Sequence, residues 1–146
     1  MKKNFRTIIV FAIICGAFPS CNSRPENPNE PKVDIDFTIS ISPVNDYSNL
    51  SVVSGWMYVS AREPSRGIIL YRYSQDEIKA YERTPPNSPD ACGKPNALAV
   101  EYPFVVDGCT DYKYNILDGS IVEGGDGYPM IQYYTQFDGT NLRVYN

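Results

Sequence analysis

Four Asp-Gly dipeptides, Asp107-Gly108, Asp118-Gly119, Asp126-Gly127 and Asp138-Gly139, divide the last third of the chain into pieces suited to strands and too short for helices. Asp-Gly supplies the positive φ that tight hairpin turns require, so dipeptides at this spacing predict successive antiparallel strands. The intervening residues agree. Ile35, Phe37, Ile39 and Ile41 alternate with Asp36, Thr38 and Ser40, the period-2 mark of a strand with one buried face. Further strands are expected over 56–60, 67–72, 78–83, 97–106, 112–116, 130–137 and 142–145. The twelve Tyr, with many Val, Ile and Thr, favour strands over helices. No stretch carries a clean helical apolar stripe. The expectation is an all-β domain, a small antiparallel barrel or sandwich, with neither an internal repeat nor a second domain.

The first twenty residues differ in kind. Lys2, Lys3 and Arg6 precede an apolar run from Ile8 to Phe18. A membrane-spanning helix needs about 20 apolar residues, so this run is too short for a stable span and reads as a secretory signal over residues 1–20. Phe18-Pro19-Ser20-Cys21 resembles the lipobox of bacterial lipoproteins, in which the cysteine becomes the acylated first residue. The competing reading is ordinary cleavage with Cys21 left as a free thiol. Cys15 follows the branched Ile14, where a signal peptidase needs a small residue, and is the weaker candidate.

Removing residues 1–20 leaves ten basic and seventeen acidic residues, a net charge of −7. That balance offers no electrostatic footprint for nucleic acid and is repelled by anionic headgroups, so the membrane partner is reached through the lipid anchor. Residues 22–34 carry three prolines and no large apolar side chain before Val33. Residues 21–34 are therefore expected to be a tether reaching roughly 40 Å. Residues 35–146 form the β domain.

Chemistry is bounded most sharply by the absence of histidine. Ser-His-Asp and Cys-His catalysis, histidine bases and ordinary zinc or non-haem iron sites all fall away. Asp107, Asp111, Asp118, Glu123 and Asp126 are the carboxylates that could act together, yet the three Asp at 107, 118 and 126 precede glycine, where Asp has a turn-forming role. Glu123 to Gly127 lacks EF-hand spacing and opens no phosphate loop. No catalytic, cofactor or metal residue is assigned. Among aromatics, Tyr133, Tyr134 and Phe137, or Tyr112 and Tyr114, are candidates for a binding face, half of them required for the core by strand alternation. After Cys21, the pair Cys92 and Cys109 in an exported chain reads as a disulfide. Two buried thiols or a two-thiolate metal site are the alternatives.

From residue 67 onward the order of strands and turns resembles the Rieske iron–sulfur domain. The likeness rests on Cys109-Thr110-Asp111-Tyr112 followed by Tyr114, the turn at Gly119, Gly124, Pro129-Met130, Tyr133, and the closing stretch from Asp138 to Val144. It is similar in particular to ligand-depleted Rieske-like lipoproteins of Bacteroidetes-type bacteria. Rieske domains hold their cluster with a Cys-x-His and a Cys-x-x-His box. The resemblance puts Pro85 and Asn87 on the first pair, and Cys109 and Tyr112 on the second. Two thiolates and two imidazoles are needed for that cluster, and three of the four positions have lost them. The resemblance thus implies a scaffold without its two-iron, two-sulfur cluster, with Cys92–Cys109 stapling the two loops that would have clasped it.

Together these readings predict a non-catalytic envelope lipoprotein, exported and lipid-anchored at the outer membrane, its facing side left open. Its role would be binding or assembly with an envelope protein. The alternatives are a glycan- or peptide-binding module using exposed Tyr and, behind it, a thiol/disulfide redox protein.

Overall fold

The computed structural model describes residues 26–146, so the predicted signal, Cys21 and the start of the predicted tether lie outside the described residues. Ten strands and one 3-10 helix, Ser48–Ser51, make up the fold. They are β1 Asp36–Ser40, β2 Trp56–Val59, β3 Ile68–Arg72, β4 Ile78–Glu82, β5 Ala99–Glu101, β6 Phe104–Val106, β7 Lys113–Asn115, β8 Ile121–Glu123, β9 Gln132–Phe137 and β10 Asn141–Tyr145. The fold is all-β and antiparallel, as the alternation predicts. A six-stranded sheet in the order β1-β10-β9-β4-β3-β2 curls into a half barrel. The four-stranded sheet β5-β6-β7-β8 is inserted in the chain between β4 and β9.

β3 explains how the two sheets share a core. Its residues are buried on both faces, which is why Ile68-Ile69-Leu70-Tyr71 shows no polar alternation. Ile68 and Leu70 pack with Ile39, Leu50, Ile78, Ala80, Leu142 and Val144 inside the half barrel. Ile69 and Tyr71 face the other way and pack with Tyr81 of β4 and with Leu98, Val105, Tyr114, Ile116 and Met130 between β4 and β9. Fully burying one such side chain contributes about 1.5–3 kcal/mol. β3 is therefore the wall on which both layers rest.

Three expectations change. The single strand expected over 97–106 is the hairpin β5–β6, turning at Tyr102-Pro103. Pro103 has no N–H to donate and ends the ladder there. β8 was not anticipated: it is three residues long, below the length at which alternation can be read. Asp126-Gly127 is not a hairpin turn, because β8 pairs with β7 whereas β9 pairs with β4 and β10. The turns at Asp118-Gly119 and Asp138-Gly139 do join paired strands, with Gly119 and Gly139 at positive φ.

The segment read as a tether also differs. From Asn27 it is docked on the domain. Asn27 is 4% exposed and Pro31 is buried. The Asn27 side-chain amide donates to the Pro86 carbonyl at 3.1 Å, and that of Asn29 donates to the same oxygen at 2.9 Å. The Asn29 N–H closes a local turn onto Asn27 Oδ1 at 2.8 Å. Short side-chain amides satisfy backbone groups that an extended Pro-rich segment leaves open, so polarity here serves docking. At the other terminus, Asn146 Oδ1 accepts from the Ile35 N–H at 3.0 Å and its amide donates to the Val33 carbonyl at 2.9 Å. Among the described residues no helix is long and apolar enough to cross a membrane.

Candidate functional site

Three loops meet at one end of the domain: residues 83–98 after β4, residues 107–112 between β6 and β7, and residues 124–131 between β8 and β9. They hold the four positions singled out in the sequence, Pro85, Asn87, Cys109 and Tyr112. The chain reaches this end through Glu82, the last residue of β4 and wholly buried. Its carboxylate accepts from Ser65 Oγ and Thr84 Oγ1 at 2.6 Å each, from the Thr84 and Arg66 N–H groups at 2.7 and 3.0 Å, and from the Tyr133 hydroxyl at 2.7 Å. Five donors make a buried carboxylate tolerable. Burial, then the Glu82 hydrogen bond, pushes the Tyr133 phenol up, so it stays a donor.

The 83–98 loop is pinned from the side by Arg66. Its guanidinium donates to the Pro89 and Asn96 carbonyls at 2.5 Å each and pairs with Asp90 at 2.8 Å. Cys92, exposed on this loop, is bonded to Cys109 with the two Cα atoms 5.3 Å apart. The predicted pairing is therefore formed, and neither sulfur is a free thiol. Asp107, only 3% exposed, holds the Cys109 loop in place. It accepts from the Asn96 amide at 2.5 Å, the Cys109 N–H at 3.0 Å and Thr110 Oγ1 at 2.7 Å.

Asn87 sits between the first and third loops. Its Nδ2 donates to the Tyr114 hydroxyl and the Tyr128 carbonyl, each at 3.0 Å, and its Oδ1 accepts from the Tyr128 N–H at 2.7 Å. Tyr112 bridges the second and third loops, its hydroxyl donating to the Asp126 carbonyl at 2.7 Å. The Tyr112 and Tyr114 rings stack at 6.1 Å. Tyr114 is fully buried, and burial pushes its phenol up to about 12. Two glycines make room. A Cβ on Gly127 would lie 2.5 Å from Asn87 Oδ1 and 3.0 Å from the Tyr112 hydroxyl, and one on Gly124 would lie 2.5 Å from Tyr112 Cδ1. Gly124 also adopts φ +112°, a conformation side chains rarely take. Pro85 is buried and offers no side-chain donor or acceptor.

The carboxylates noted in the sequence are not gathered into one site. Asp107 is committed to its own loop and to Asn96 of the neighbouring one. Asp118 binds Ser120, whose side-chain and backbone hydrogen bonds hold its carboxyl below the usual range. Glu123 pairs with Lys113 at 2.7 Å, while Asp111 and Asp126 are exposed. Among the described residues no group of three or more His, Cys, Asp or Glu could hold a metal ion. The aromatic candidates divide by strand parity. Tyr133 is buried, whereas Tyr134 is 62% exposed and stacks on Tyr145 at 5.5 Å. Phe137 lies under the Arg72 guanidinium at 4.4 Å.

Two features were missed in the sequence. Glu82 has the same strand parity as Ile78 and Ala80, and that spacing was the available sign of a buried charge. A groove of about 600 Å³ follows β2, an edge strand, and is lined by Trp56, Met57, Tyr58, Ser48, Asn49 and Ser54. No local pattern announces it, since the 3-10 helix supplies one of its walls. Neither a protein-family model nor a curated protein matches the chain.

Proposed function

We propose that this is a non-catalytic envelope lipoprotein, anchored through Cys21. Its domain is a Rieske-like scaffold that has lost its cluster ligands and is kept for binding or assembly. The observation that carries the reading is the fate of the four ligand positions. All four lie in the loops of one end, and three of their side chains are spent on cross-links between those loops. Asn87 is committed to Tyr114 and Tyr128, Tyr112 to the Asp126 carbonyl, and Cys109 to Cys92. Pro85 contributes no donor atom. These residues do not fit a two-iron, two-sulfur cluster, which needs four free thiolate or imidazole ligands. An amide–phenol lock and a disulfide do mechanically what a cluster does elsewhere, namely hold the loops together.

The test is made on the lipid-free chain from residue 22, expressed with iron available and purified without reductant. A colourless, iron-free protein two hydrogens lighter than its formula is expected. A brown, iron-loaded protein would overturn the reading. Envelope anchoring is checked separately by intact mass of the mature protein, where an acylated Cys21 is expected.

A second reading is favoured by the β2 groove. Trp56 and Tyr58 lie edge to face at 5.2 Å, beside the polar Ser48, Asn49 and Ser54. Aromatic surface flanked by small hydroxyl and amide side chains suits a neutral saccharide. Titration with oligosaccharides should then change Trp56 fluorescence, and an unchanged spectrum would remove this reading.

A further inference from the structure

We propose that the lock end of the domain faces the bilayer, with the exposed 122–129 loop seated in the headgroup layer. This rests on acylation of Cys21, proposed above, together with one independent structural fact. The chain leaves the domain at the lock, the end at which β1 and β9 both begin. Asn27 and Asn29 are clamped on Pro86, and Asn29 also donates to the carbonyl of Asn87 at 3.3 Å, the residue that binds Tyr128.

Covalent geometry then decides the orientation. With the chain docked from Asn27, six residue-to-residue steps separate Cys21 from the domain, at most about 20 Å of chain. A tether free to residue 34 would have allowed about 40 Å of slack and a looser hold on the same end. β9 leads away from the lock towards the Asp138-Gly139 hairpin over six residues, about 20 Å at a strand's rise. The anchor therefore holds the lock end close to the membrane and the hairpin end away from it.

The loop that would meet the lipid suits a zwitterionic surface. Residues 122–129 are exposed without interruption and include Val122 at 47% and Tyr128 at 37%. Tyr is enriched at membrane–water interfaces, where its amphipathic ring sits at the level of the headgroups. Of the two carboxylates in this loop, Glu123 is paired with Lys113 and Asp126 is exposed, which suits zwitterionic rather than anionic headgroups. The partner is the headgroup layer that carries the chain's own anchor.

The test uses the full chain, acylated in a lipidating host and reconstituted in phosphatidylethanolamine–phosphatidylcholine vesicles containing headgroup spin-labelled lipid. One fluorophore is placed at Asp126→Cys or at Thr140→Cys, both exposed positions. Quenching is expected to be severalfold stronger at 126 than at 140. Equal quenching, or stronger quenching at 140, on a chain whose mass shows acylation overturns the orientation and leaves the lipoprotein reading intact. A mature chain without acyl mass overturns both. Asn27→Ala with Asn29→Ala should undock the segment and bring the two quenching values together, and an unchanged difference would overturn the role of the clamp.

Discussion

Asn87 binds Tyr128 across 41 residues of sequence with both ends of its amide, accepting from the Tyr128 N–H at 2.7 Å and donating to its carbonyl at 3.0 Å. The same Nδ2 reaches the buried Tyr114 hydroxyl. One side chain thus replaces a backbone ladder between two loops that share no sheet.

Replacing Asn87 with Ala removes three hydrogen bonds and leaves Tyr114 without its amide partner. A loss of about 2–3 kcal/mol is expected, from roughly 1 kcal/mol for each bond. Chemical denaturation of the reduced and oxidised protein measures it. Asn87→Asp should cost a similar amount, since it keeps the acceptor for Tyr128 and loses both donated bonds. An effect below 0.5 kcal/mol, about the size of a neutral surface change, would remove the lock from the account.

Reduction of Cys92–Cys109 should lower stability by about 3 kcal/mol, the chain-entropy value for a loop of about this length. The Cys92→Ser, Cys109→Ser double variant should show the same loss without reductant. Because Arg66 and Asp107 pin the two loops independently, the domain is expected to stay folded. Circular dichroism before and after reduction checks this, and an unchanged unfolding midpoint would argue against any stapling role.

Glu82→Gln keeps shape and removes charge. One carboxylate oxygen becomes an amide donor facing groups that are themselves donors, either Thr84 or Ser65 and Tyr133. Leaving such groups unsatisfied costs about 1–3 kcal/mol each, so Gln at 82 should destabilise more than Tyr133→Phe. The two unfolding free energies compare the variants directly, and equal losses would mean that the remaining donors contribute nothing.

The Tyr81 hydroxyl, wholly buried, has no hydrogen-bond partner among the described residues. Burial pushes its phenol well above the usual range. Removing an unpaired buried hydroxyl while keeping the ring relieves a desolvation cost, so Tyr81→Phe should raise stability by about 1 kcal/mol. A destabilised variant would show that the hydroxyl is satisfied in solution.

Acid should weaken the fold through its turn and edge carboxylates. Backbone and side-chain hydrogen bonds from Asn141 hold the Asp138 carboxyl below its usual range, Ser120 does so for Asp118, and Arg143 for Asp36. Depressed folded-state values mean that this stability is fully present above the unfolded value of about 3.9 and is lost as pH falls through the folded values. The unfolding midpoint should therefore decline below about pH 4. Asp138→Asn, which keeps the acceptor and cannot titrate, should flatten that decline.

What the sequence determined alone was local. Alternation at Ile35, Phe37, Ile39 and Ile41 set the buried face of β1, and Asp138-Gly139 set the turn that returns β9 to β10. The cysteine count anticipated the disulfide. Tertiary structure alone decided which loops meet. The clamp of Asn27 on Pro86, the Asn87–Tyr128 pair and the burial of Glu82 beneath Tyr133 join residues 59, 41 and 51 positions apart. Strand periodicity and turn chemistry act over a few residues and leave their mark on neighbouring letters. A polar side chain that satisfies a distant backbone group leaves none, because Asn in a docked segment and Asn in a solvated tether are written alike. The same difference separates a segment free to residue 34 from one docked from Asn27, and the side-chain amides of Asn27 and Asn29 decide it.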